Sequence, residues 1–165
     1  MRRARVRIAS GALAAALVAG CAREEPPPGE IAIELGTGEW RFEPLVDGQE
    51  VRMIHGAQGG WHVWTSVRAA DLDPDRVRLE LYMRPADEPE SGWDTSKIDV
   101  NMVPDGDAFA YLGYPFVVVS PACAADRPLE IRAVLRDRRG TTGSDSRVIV
   151  PTWTPVEGGG PTTCD

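Results

Sequence analysis

The chain has 165 residues, with 18 basic and 25 acidic side chains and a formal net charge of −7. That length suits one main domain, and the acidic balance excludes nucleic acid as a partner, because a negative surface repels phosphate backbones. At the N-terminus, residues 1–7 carry Arg2, Arg3, Arg5 and Arg7 and no acid, and Ile8 to Ala19 carry no charge. A basic head followed by about a dozen apolar residues is the layout of a secretory signal; it is too short for a membrane-crossing helix, which needs roughly 20.

The apolar run ends in Leu17-Val18-Ala19-Gly20-Cys21. This resembles the lipobox of bacterial lipoproteins: a leucine, a spacer, two small residues and a cysteine. The resemblance implies a signal peptide over 1–20, removed before Cys21, and a lipid on the Cys21 thiol. It also implies a protein held on a membrane of the bacterial cell envelope through that lipid. Ala22, rather than Asp, follows the cysteine, which resembles outer-membrane sorting. Several acyl chains anchor stably, since each buried methylene contributes about 0.8 kcal/mol. Loss of residues 1–20 leaves 14 basic against 25 acidic side chains, a formal charge of −11.

Residues 21–30 contain Pro26-Pro27-Pro28. A proline run favours an extended helix of ~3.1 Å per residue, so this stretch reads as a tether between the lipid and a domain over 31–165. Two cysteines remain, Cys123 and Cys164. In an oxidising envelope such a pair is expected to be bridged, closing a loop of about 40 residues for ~4 kcal/mol.

The domain alternates with period two, the strand signal. Ile31, Ile33 and Leu35 alternate, as do Trp40 and Phe42. Strands are predicted over 51–55, after the Asp47-Gly48 turn, and over 61–68. The run 76–84 is the cleanest, with Val77, Leu79, Leu81 and Met83 on one face and Arg78, Glu80 and Tyr82 on the other. Shorter strands are predicted over 98–102, 108–112 and 116–119, and longer ones over 129–137 and 147–153. No amphipathic helix follows residue 21. About eight short strands at this spacing predict an all-β fold, a single antiparallel sandwich or barrel.

The segment from Leu129 through Asp137 to Gly140, followed by Ser144 to Val150, resembles the last hairpin of bacterial immunoglobulin-like and fibronectin-type domains. That resemblance implies an Ig-like β-sandwich, whose members commonly bind or space rather than catalyse.

Both histidines fall in one Gly-rich stretch, His55 to His62. A turn centred on Gln58-Gly59 puts His55 opposite His62 and Met53 opposite Trp64, with facing Cβ atoms about 5 Å apart. Met53, His55 and His62 would then suit Cu(I) or Zn(II), with Trp64 lying against the ion. The grouping is similar to that of small periplasmic copper chaperones, which pair one His with two Met. The same stretch also reads as a loop for a protein or small ligand, built of His55, Gln58, Gly59, Gly60, Trp61, His62 and Trp64. A third reading is a structural hairpin. A register slip of one residue separates the histidines. No cofactor other than such a metal is expected. The acids at 71, 73 and 75 lack the Gly and Glu of an EF-hand, Asp105 and Asp107 flank a turn at Gly106, and no hydrolase or phosphate-loop motif is present. The sequence therefore favours a lipid-anchored, non-enzymatic binding or scaffolding module, with a periplasmic copper binder as the alternative.

Overall fold

The computed structural model describes residues 29–153 together with Thr163 and Cys164. The expected signal segment 1–20, the expected lipidation site Cys21 and the expected tether up to residue 28 lie outside the described residues. The described chain is a β-sandwich. In order it runs β1 (Ala32–Thr37), β2 (Glu43–Pro44), β3 (Gln49–Arg52), β4 (Ile54–His55), β5 (Trp61–Ala70), β6 (Val77–Pro85), β7 (Asp94–Val100), β8 (Val103–Asp105), β9 (Ala108–Val118), a one-turn helix α1 (Pro121–Ala124), β10 (Leu129–Arg136) and β11 (Thr142–Thr152).

Two sheets face each other. One is ordered β2-β1-β5-β9-β8, with the short β4 also pairing β5; the other is β3-β11-β10-β6-β7. The alternation seen in the sequence is the reason. In β6, Val77, Leu79, Leu81 and Met83 are all buried, and β10 answers with Leu129, Ile131, Ala133 and Leu135. These sets lie in register, Leu81 opposite Ala133 and Met83 opposite Ile131. The other sheet contributes Leu35, Trp61, Val63, Val67, Ala69, Phe116 and Val118. Each large aliphatic side chain buried this way contributes about 1.5–3 kcal/mol.

The sequence predicts an antiparallel sandwich, and the sandwich is present with one strand pair departing from that. After β2 the chain crosses between sheets through Leu45–Gly48 and enters the far edge running in the same direction as β11, so β3 and β11 pair in parallel. The crossing is pinned by Asp47, whose carboxylate accepts the Val148 amide at 2.8 Å, and by the Gly48 amide, which donates to the Val148 carbonyl at 2.8 Å. Where β1 passes close to β11, the Ile31 carbonyl oxygen lies 2.2 Å from the place a Cβ on Gly143 would occupy. Only glycine fits that approach.

Other elements differ locally from the periodicity. Trp40 and Phe42 alternate but belong to the β1–β2 loop. The two strands predicted at 108–112 and 116–119 are one strand, β9, carrying a bulge where its register against β5 shifts between Thr65 and Val67. The Cys123–Cys164 disulfide is formed, joining α1 to the C-terminal segment with a Cα separation of 4.7 Å.

Candidate functional site

The Gly-rich hairpin is in the slipped register. Ile54 lies opposite His62 and His55 opposite Trp61. The cause is the loop length. The Gly56 amide donates to the Gly60 carbonyl, and the Gly59 amide donates to the Gly56 carbonyl. The turn is therefore a three-residue loop, Ala57-Gln58-Gly59, ending in Gly59 at φ +80°. Three-residue loops of this kind are a standard hairpin closure. They shift the facing pairs by one relative to a two-residue turn, and every side chain changes face.

The expected cluster of Met53, His55, His62 and Trp64 is therefore not assembled. Met53 is in the core, His55 is exposed and lies 5.0 Å from the Trp61 ring, and His62 is on the opposite face with its ring 4.5 Å from Trp64. Among the described residues, no group of three or more His, Cys, Asp or Glu is placed to hold a metal ion. Of the remaining loop residues, Gln58, Gly59 and Gly60 are exposed at the tip, whereas Trp61 is buried and packs edge-on against Trp153 at 5.7 Å. The tip thus presents polar backbone, with its tryptophan turned inward.

His62 has a different character. It is only 9% exposed, and its Nε2 has no hydrogen-bond partner among the described residues. Burial lowers its pKa below the usual histidine value, and the nearby Glu39 carboxylate raises it part of the way back. The unfolded chain takes up this proton near pH 6.5; the folded chain takes it up only at lower pH. Stability is therefore complete above about pH 6.5 and falls as pH drops through that value towards the folded pKa. Urea unfolding midpoints measured from pH 7.5 to 5 should fall for the wild type. His62→Phe should remove that component of the slope, and an unchanged slope would refute the assignment.

The exposed aromatic surface lies elsewhere, on the outer face of the six-stranded sheet. The loop from Gly38 to Phe42 folds back over that face at the β9 bulge. The Ser66 hydroxyl donates to the Gly38 carbonyl at 2.8 Å and accepts the Gly113 amide at 2.9 Å, while the Thr37 hydroxyl donates to the Trp64 carbonyl at 2.8 Å. Gly113, at φ +66°, has the Glu39 carbonyl oxygen 2.4 Å from where a Cβ would stand. A larger residue there would lift the loop. The Phe42 ring occupies the space above Gly36, whose missing Cβ would lie 2.4 Å from it. Trp40 has no such seat and is 83% exposed.

Between this loop and β8 runs an open groove of about 500 Å³, lined by Trp40, Phe42, Arg68, Val103, Asp105 and Leu112 among others. Arg68 on β5 reaches across it. Its Nε lies 3.1 Å from Asp105 Oδ2, and its Nη2 donates to Asp107 Oδ1 at 2.8 Å. Asp105 and Asp107 do flank the β8–β9 turn as the sequence suggested, but they also orient Arg68. Neither Trp40 nor Arg68 stands out in the sequence, because outward-facing residues of separate strands carry no shared motif.

No protein-family model matches the sequence, and no curated protein matches it. Among solved structures, the chain is similar to the CooA pilin subunit from enterotoxigenic Escherichia coli, with a TM-score of 0.33 and 9% identity, over 74% of this chain and 99% of that one.

Proposed function

We propose that the protein is a bacterial envelope lipoprotein whose immunoglobulin-like sandwich is a non-enzymatic binding module. Cys21 carries the lipid, residues 22–30 hold the domain off the bilayer, and Ala22 directs it to the outer membrane. The observation that carries the binding role is the contrast between the two outer faces. On the five-stranded sheet, charges pair off across the strands: Arg78 with Asp99, Lys97 with Glu80, and Arg84 with Glu130. Trp93 on that side is covered by the Arg84 guanidinium, 4.1 Å from the ring. The six-stranded sheet instead leaves Trp40, Val103, Val117 and, just past β9, Val119 in solvent, the last at 72%. Apolar groups gathered on one face mark partner surfaces.

Two measurements test the two halves. In cells given a palmitate analogue, the wild-type chain should incorporate the label and Cys21→Ser should not; an unlabelled wild type removes the anchor. A photoreactive residue at Val117 should capture an envelope component, while one at Arg132, on the opposite sheet, should not. Equal capture at the two positions removes the binding face.

A further inference from the structure

We propose that the groove on the six-stranded sheet binds an uncharged glycan, with a pyranose ring stacked on Trp40 and its hydroxyls bonded to Arg68 and Asp105. This rests on the reading of that sheet as the binding face and names the chemistry of its ligand.

Three observations select the class. The first is charge. Both cations of the groove are already paired, Arg41 with Glu43 at 2.7 Å and Arg68 with Asp105 and Asp107. An anionic ligand would find no free cation among these residues and would approach a chain of formal charge −7. A cationic ligand would have to compete with Arg68 for its acids. A neutral ligand meets neither obstacle.

The second is the juxtaposition of groups. An indole that is 83% exposed lines the same groove as a planar guanidinium, Arg68, and a carboxylate, Asp105. A sugar ring needs that pair of surfaces. Its axial C–H face is apolar and lies against an aromatic ring, and its equatorial hydroxyls both donate and accept. Asp105 accepts from them, and Arg68, held in a fixed fork by Asp105 and Asp107, donates. The groove volume of about 500 Å³ lies within the usual range for small-ligand sites, roughly 300–1,000 Å³.

The third is the state of the sheet edges. A peptide partner would most simply add as another strand. The edge strand β2 contains Pro44 and the edge strand β8 contains Pro104. Proline offers no N–H and blunts an edge against strand addition. Strand addition is thus disfavoured at the two edges that flank the groove, which leaves the face between them, where the groove is.

The test is binding of cellohexaose, chitohexaose and maltohexaose to the full chain in detergent micelles, read by tryptophan fluorescence and calorimetry. At least one should bind stoichiometrically. Trp40→Ala should weaken it about tenfold or more, the loss expected for a central aromatic anchor. Arg68→Lys should also weaken it, since a point charge does not replace the fork, while Arg132→Ser on the other sheet should leave it unchanged. Circular dichroism and thermal unfolding confirm that the variants fold. Absence of binding for all three sugars, affinity unchanged in Trp40→Ala, or binding of a proline-rich peptide in their place would each overturn the proposal. Capture at Val117 in cells, with no sugar binding in vitro, would sink the glycan and leave the binding face standing.

Discussion

Replacing Asp137 by alanine should destabilise the sandwich by about 3 kcal/mol, the cost of stripping a buried, multiply bonded carboxylate from its partners. Asp137 directly follows β10, and its side chain is fully buried. One oxygen accepts the backbone amides of Arg139 and Thr141, both at 2.9 Å. The other accepts the Asp73 amide at 3.1 Å and the Arg139 Nε at 2.9 Å. A single carboxylate thus closes the β10–β11 turn and ties it to the segment entering β6. Burial pushes its pKa up, but the bonds from Asp73, Arg139 and Thr141 together outweigh burial and hold it below the usual carboxylate value. The contribution is therefore present above about pH 3.9, where the unfolded carboxyl ionises, and is lost as pH falls through the folded pKa. Urea unfolding should show a wide gap between wild type and Asp137→Ala at pH 7 that narrows in strong acid. Asparagine keeps the shape but replaces one acceptor oxygen with a donor, so Asp137→Asn should recover only part of the loss. A difference below about 0.5 kcal/mol at pH 7, the scale of ordinary surface substitutions, would refute this role.

The Asp137 turn was legible in the sequence as the end of a hairpin, and the hairpin itself formed in unbroken register from Leu129 opposite Ile149 to Arg136 opposite Thr142. Strong alternation carried that much, as it did for β6. The register of the histidine hairpin was not legible, because it depends on whether Ala57 or Gln58 begins the loop, and a glycine-rich stretch permits either. Trp40-Arg41-Phe42 has the period of a strand, yet Phe42 is drawn onto Gly36 and the segment leaves the sheet. The groove was invisible for a further reason. Alternation places Arg68 and Leu112 on strands, but does not say that the β9 bulge and the returning loop bring them together with Val103 around Trp40. Cysteine pairing, by contrast, needed only a count once Cys21 was assigned to lipid.

That pairing carries the second large effect. Removing the bridge with Cys123→Ser and Cys164→Ser should cost about 4 kcal/mol, the chain-entropy value for a closed loop of this length. The loop spans 41 residues and contains both β10 and β11. Its contribution acts on the unfolded chain, by denying it conformations, more than on contacts in the fold. Contacts beside the bridge remain without it: the Asp126 amide donates to the Pro151 carbonyl at 2.8 Å and keeps α1 beside β11. The variant should therefore keep the wild-type circular dichroism while melting at a clearly lower temperature. Reductant should shift the wild type by a similar amount and leave the variant where it was. A shift below about 1 kcal/mol, or one that reductant still enlarges in the variant, would show that the bridge constrains little. Because such a bond persists in an oxidising compartment and not in a reducing one, this stabilisation is available to the chain only in an oxidising compartment, which agrees with the proposed export.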